Sequence, residues 1–232
     1  MNAFKITWFA LFFTLLSLFL NPAYSQSKTS VGTDFWITFN PNYNANNHVI
    51  RIFISSEYST SGSMTSQIPG INQNFTVVPG VVTRLTMMSV DVTLTGGIEN
   101  KGIEITTADP VTVYALNDMS ASTDAFLALP VPALGNDYRV MTYTAAPYNQ
   151  SRFSIVATED FTFVSIFNHF TNSTSTVMLN KGQTYLSAGY PDVTGSRIQS
   201  NHPVAVFGTD DCVNVPDVSC DCLLYTSDAA DE

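Results

Sequence analysis

The sequence predicts an all-β protein of two tandem, related β-sandwich-like units, with antiparallel strands and little helix in the mature chain. Three observations carry this. Apolar residues alternate with polar ones at the two-residue period of a strand, as in Phe35, Ile37 and Phe39 or Ile50, Ile52 and Ile54. Gly and Pro turn signals separate these runs at the short, regular spacing of a sandwich or barrel. Finally, one piece occurs twice. Gly102, Ile105, Pro110, Val111, Val113 and Tyr114 align without gaps on Gly195, Ile198, Pro203, Val204, Val206 and Phe207. A duplication of that length means two copies of one structural unit rather than a solenoid of short repeats.

The first residues stand apart from the fold. Lys5, the apolar run Ile6–Leu20 and the small residues of Ala23-Tyr24-Ser25 have the form of a secretory signal cleaved after Ser25. The apolar run is shorter than the roughly twenty residues of a membrane span, and Asn21-Pro22 breaks it. Residues 1–25 are therefore expected to be a signal peptide, and the protein secreted or displayed at the cell surface, with no membrane span in the mature chain. At the other end, Cys222 to Glu232 reads CLLYTSDAADE, one reading frame of a transposase-type sequencing adapter. Residues 222–232 are expected to be a scar outside the fold, with further domains of the polypeptide beyond Asp221.

Between these ends the elements follow in order. Phe35 to Phe39 is a strand, and the Asn- and Pro-rich stretch Asn40–His48 a loop. Strands are expected at Val49–Ile54, Met64–Ile68, Phe75–Val78 and Val81–Met87, with tight turns at Pro69-Gly70 and Pro79-Gly80. There Pro fixes the first central residue and Gly takes positive φ. In the repeated piece, Ile103 and Ile105 point inward, Asp109-Pro110 turns the chain, and Val111–Leu116 is a second strand. Both faces of that strand are fairly apolar, so it is expected to be central and covered on each side. Asn117–Thr123 is a polar loop and Asp124–Leu129 an extended segment, since Pro130 disfavours helix before it. The second round brings Arg139–Tyr143, Ser151–Ala157 and Phe161–Phe167. A hairpin Thr176–Leu179/Gln183–Leu186 turning at Asn180-Lys181-Gly182 follows, and then the second copy of the repeat. Unit one is expected at about 31–117, the connection at 118–137 and unit two at about 138–221. The connection and the cleft it bridges are a first place to look for binding.

Composition limits the partners. Nine Lys and Arg against nineteen Asp and Glu give a net charge of −10. So acidic a surface cannot neutralise a phosphate backbone, which excludes nucleic acid, and anionic membrane surfaces are disfavoured for the same reason. Setting Cys222 aside leaves Cys212 and Cys220, an even pair that in an exported chain reads as a structural disulfide. The sequence holds no G-x-S-x-G elbow, H-E-x-x-H, Walker loop or G-x-G-x-x-G. His48, His169 and His202 lack ligand spacing and are expected in loops. Asp210, Asp211, Asp217 and Asp221 are oxygen ligands of the kind calcium takes, but without the EF-hand pattern, so a solvated acidic edge is the expectation. No catalytic or metal-binding residue, and no cofactor, is assigned. Asn74, Asn149 and Asn172 begin N-glycosylation triplets.

Taken together, G-T-D-F-W at 32–36, G-I-E-N-K-G-I-E-I-T at 97–106, P-V-T-V-Y-A-L at 110–116 and D-A-F-L-A-L-P at 124–130 resemble the N-terminal domain of IgGFc-binding proteins. So do V-A-T-E-D at 156–160, L-N-K-G-Q-T-Y at 179–185, P-V-A-V-F at 203–207 and C-V-N-V-P-D-V-S-C-D at 212–221. The resemblance implies a non-enzymatic extracellular module, the N-terminal part of a larger secreted or surface protein of bacterial type. It implies an adhesive role toward a mucin- or immunoglobulin-like protein or glycoprotein, and no residue-level binding motif. The alternative is a calcium-assisted carbohydrate-binding module of a larger exported enzyme, for which Tyr43, Tyr58 and Tyr148 would be the exposed aromatics. A third reading is a hydrolase with an unrecognised site.

Overall fold

A computed structural model describes residues 29–42, 48–118, 123–143, 150–214 and 220–226. Fifteen strands make up most of it: β1 (Val31–Ile37), β2 (Val49–Ser55), β3 (Thr60–Ser66), β4 (Gln73–Val77), β5 (Thr83–Met88), β6 (Gly97–Glu99), β7 (Ile103–Asp118) and β8 (Thr123–Leu127) come first. Then follow β9 (Gly135–Arg139), β10 (Ser151–Ala157), β11 (Thr162–Asn168), β12 (Ser173–Leu179), β13 (Thr184–Leu186), β14 (Arg197–Asn214) and β15 (Cys220–Thr226), whose last five residues pair with or extend along β14 although they belong to the stretch expected outside the fold. Helix is confined to single turns, α1 (Ser89–Val92) and a 3-10 turn at Val131–Ala133. The fold is all-β in two units, as expected from the alternation.

The two units have one topology. In the first sheet the order is β4-β3-β7-β2-β5, with β1 and β8 also on β7; in the second it is β12-β11-β14-β10-β13-β6, with β9 and β15 also on β14. Each of the seven strands of the first sheet thus has a counterpart in the second, and β6 has none. The registers repeat as well: β1 jumps from Gly32↔Val111 to Asp34↔Thr106, and β9 from Gly135↔Val204 to Asp137↔Gln199. The duplication read in the sequence is a duplication of this whole arrangement.

At the centre of each unit the repeated piece is not a hairpin. Each copy is a single long strand, β7 or β14, that bends at its proline. The first half of β7 pairs with β3 and β1, and the second half with β2 and β8. Pro110 and Pro203 have no N–H to give a ladder, so each sits where the strand changes partners and passes from one layer of its sandwich to the other. The expected turn at Asp109-Pro110 is therefore a bend. Similarly, β12 and β13 do not pair with each other. Asn180-Lys181-Gly182 is an arch from one layer to the other, as Val78–Val82 is in unit one, because β11 and β10 each claim one of the two strands. The turn glycines behave as read, with φ of +83° at Gly70, +75° at Gly80 and +77° at Gly182.

Burial follows the alternation. Ile50, Ile52, Ile54, Ile103, Ile105, Val111 and Val113 fill one core, and Ile155, Val164, Ile166, Ile198, Val204 and Val206 the other. The first core continues across the boundary into Val156, Ala205 and Phe207 of unit two, so the units share buried surface. The short strand β6 belongs to the first half of the chain yet pairs with β13, extending the second sheet. Tyr138, fully buried, donates its hydroxyl to the Val204 carbonyl at 2.7 Å and accepts the Gly135 amide at 2.7 Å, closing β9 onto the bend of β14.

Candidate binding surface

The expected site residues do not converge. His48 pairs its Nε2 with Asn117 Oδ1, His202 Nδ1 lies 3.2 Å from Glu159, and His169 sits in the turn after β11. Among the described residues no three His, Cys, Asp or Glu side chains gather closely enough to hold a metal ion. Asp210 departs from the expected solvated edge: it is fully buried, and its Oδ2 accepts the Tyr143 amide at 2.9 Å. Antiparallel pairing sets Cys220 opposite Asn214, two residues from Cys212. The side chains of Cys212, Cys220, Asp211 and Asp221 lie outside the described part. So do Asp217, Tyr43, Tyr148, Asn149 and residues 1–28. Asn74 and Asn172 are both exposed, on β4 and at the turn before β12.

What the structure does assemble is a contact between units. The arch of unit two, Lys181-Gly182, lies on the β1/β7 layer of unit one. A Cβ on Gly182 would stand 3.2 Å from the Trp36 ring, and Gly102 N–H donates to the Gly182 carbonyl at 3.1 Å. Lys181 Nζ is 5.5 Å from the centre of the Trp36 ring and 2.9 Å from Glu104 Oε1. The hydrogen bond to Glu104 raises the ammonium's pKa. Burial, and then the charge of Glu104, raise the carboxyl of nearby Asp34. Beyond the arch, the outer face of β10 and β14 docks through Val156, Ala205 and Phe207. The Phe207 ring meets Phe126 edge-on at 5.1 Å, and Phe126 in turn lies 6.0 Å from Phe39.

Unit one carries the same face and the same arch, and among the described residues nothing packs on them. By the repeat, Ser55 stands for Val156, Thr112 for Ala205, Tyr114 for Phe207 and Gly80 for Gly182. Phe207 is 1% exposed and Tyr114 47%. A Cβ on Gly80 would meet nothing within 4 Å, where one on Gly182 meets Trp36. Across this open face the register aligns Arg84, Phe53, Tyr114 and Leu127 on four adjacent strands. The expectation that β7 is covered on both sides thus holds for its counterpart β14 and fails for β7 itself.

At the arch end the open face runs into a concavity of about 570 Å³, whose lining includes Val31, Glu57, Tyr58, Gly80 and Pro110. Around it Val31, Tyr58, Val78, Val81 and Val82 are all exposed. Their turns hold them there: Val81 N–H closes the arch onto the Val78 carbonyl, and the Ser56 hydroxyl links the Tyr58 amide to the Pro110 carbonyl. An apolar, polar-rimmed surface of this kind marks an interaction site. Of the aromatics singled out in the sequence, Tyr58 belongs to it. Phe53 and Tyr114 were missed: alternation sets Phe53 opposite the inward Ile50, Ile52 and Ile54 without showing what it joins, and the two apolar faces of Val111–Leu116 predict a covered Tyr114.

No curated protein and no solved structure matches the chain. The model of a family described as IgGFc binding protein matches residues 124–230, from the start of β8 through all of unit two, whereas the motifs read in the sequence begin at Gly32. That stretch of the chain is similar to the family, and by topology unit one repeats its architecture.

Proposed function

We propose that the chain is an extracellular, non-catalytic protein-binding module of the IgGFc-binding kind. It would serve as the N-terminal part of a longer secreted or surface polypeptide. Its docking surface is the open face of unit one, from Leu127, Tyr114 and Phe53 to the concavity at Tyr58. One observation carries this reading: unit two buries the counterpart of that face against another β-unit, and among the described residues unit one leaves its own uncovered. The occupant it fits is therefore another β-rich protein surface, and immunoglobulin Fc is the first candidate, from the description of the family that matches unit two. Export is expected from the leader-like first residues.

The test uses the purified chain against immobilised Fc and, separately, a mucin-type glycoprotein. Saturable binding of either protein supports the reading, and binding of neither overturns it. Retention by the glycoprotein that disappears when its glycans are removed would shift the assignment to carbohydrate recognition.

A further inference from the structure

We infer that β12 is a self-association strand: two copies of the chain pair antiparallel through their β12 edges about a two-fold axis at Thr176. Eight of the described strands pair on one side only, β1, β4, β5, β6, β8, β9, β12 and β15, and of these β1, β8, β9 and β15 each carry a charged residue, Asp34, Asp124, Asp137 and Asp221. Edge strands are normally protected by charge, proline, a bulge or shortness. Arg84 lies in β5 and Glu99 in β6, and β6 is only three residues long. Ser173–Leu179 has seven residues with no charge and no proline, and its ladder to β11 runs unbroken from Thr162↔Leu179 to Asn168↔Ser173. In a chain of net charge −10, this is a long edge along which two copies meet without opposing like charges.

Its backbone is free at definite positions. Phe163 N–H donates to Asn201 Oδ1 at 2.7 Å, on the β14 side of β11. The Phe163/Met178 pair therefore exchanges no bonds, and the pairs on either side of it do. It follows that the N–H and C=O groups of Thr174, Thr176 and Met178 point to the open edge.

The exposed apolar groups beside this edge are self-complementary. Phe163 and Met178, cross-strand neighbours, are 52% and 45% exposed, and Phe161 beside them is 65% exposed. Phe170, also exposed, lies beyond the other end of β12. Pairing about Thr176 sets each Thr176 against its mate and Met178 against Thr174. It also carries the Phe170 turn of one copy toward the Phe161 end of the other, the isologous arrangement of a two-fold dimer. Phe161 itself sits at φ +54°, which is costly for a bulky residue. Hydrogen bonds from Asn201 Nδ2 to its carbonyl (3.1 Å) and from the Thr162 hydroxyl to the Glu159 carbonyl (2.7 Å) hold that turn. Nothing within the described residues covers the ring; a mate does. The counterpart β4 has five residues, and its apolar Phe75 and Val77 are already buried.

Sedimentation velocity on the purified chain tests this over a concentration series. The wild type is expected to dimerise. Thr176→Pro removes one outward N–H and no bond to β11, and Thr176→Asp sets two carboxylates against each other at the axis; each is expected to weaken dimerisation at least about tenfold, with an unchanged far-UV spectrum. Under mild oxidation Thr176→Cys should yield, in mass spectrometry, a symmetric disulfide-linked peptide that joins the introduced thiol of one copy to that of its mate. Asn74→Cys on β4 should not yield its equivalent. A wild type that stays monomeric overturns the inference. So does a dimer that survives both Thr176→Pro and Thr176→Asp, or a Thr176→Cys dimer without the symmetric link.

Discussion

Truncating Phe207 and Tyr114 to alanine puts one side chain from each copy of the repeat to the same test. Phe207 is buried in the shared core and packed edge-on against Phe126. Its removal is a full aromatic truncation in a site walled by two units, which costs about 3–5 kcal/mol. Tyr114 keeps nearly half of its surface in water, and its neighbours across the face are Phe53 and Leu127. The apolar area it removes from water is roughly 50 Å² at about 25 cal/mol per Å², so its loss should cost about 1–1.5 kcal/mol. Urea unfolding followed by fluorescence reads both, since Trp36 lies at the contact between units and the other tryptophan, Trp8, is outside the described residues. Equal losses for the two variants would refute the assignment of a covered and an uncovered face. A loss below about 1 kcal/mol for Phe207→Ala would refute the shared core itself.

Three further outcomes are expected. Tyr138→Phe leaves the buried Val204 carbonyl and the Gly135 amide without the hydroxyl between them, which should cost about 2 kcal/mol in urea melts; a neutral result would mean that water takes its place. Gly80→Ala should cost about 1 kcal/mol from positive φ alone, and Gly182→Ala at least about 1 kcal/mol more, because its Cβ meets Trp36; thermal melts that rank them the other way contradict the docked arch. Two carboxylates should show opposite pH signs. Asp34, raised by burial and then by Glu104, opposes folding once pH climbs past the ordinary carboxylate range, so Asp34→Asn should stabilise at neutral pH and lose that gain as pH falls below that range. Asp137 is lowered, first by its hydrogen bond from Arg197 and then by that residue's charge. Asp137→Asn should therefore destabilise above the carboxylate range and become neutral as pH falls through the lowered value. Stability curves of both variants from acid to neutral pH check the two signs.

Much of this architecture was legible because its signals are local. Alternation at Ile50–Ile54 and Val111–Ala115 named buried faces, and the turns at Gly70 and Gly80 named positive φ. The six matched positions from Gly102 to Tyr114 showed the duplication. Partner choice was not local, and there the reading failed. Asn180-Lys181-Gly182 has the chemistry of a hairpin, but β12 and β13 separate because β11 and β10 compete for them. Pro110 reads as the end of a strand, yet the strand continues and only its partners change. The candidate surface was the least legible part. Val-Thr-Val-Tyr and Val-Ala-Val-Phe have nearly the same pattern, and whether Tyr114 or Phe207 is covered depends on how the two units pack. A signal did exist: the repeat sets Ser55 and Thr112 in unit one against Val156 and Ala205 in unit two, polar where apolar is buried. Read position by position, that difference marks the open face.

The open face is tested most directly by the affinity of Fc for the wild type and for Tyr114→Asp, with Val90→Asp, an exposed apolar residue on α1, as the control. A charge at the centre of a docking patch should weaken binding by about 2 kcal/mol or more, roughly thirtyfold, while Val90→Asp binds as the wild type does. Binding that Tyr114→Asp leaves intact, or that both variants weaken equally, would contradict the account.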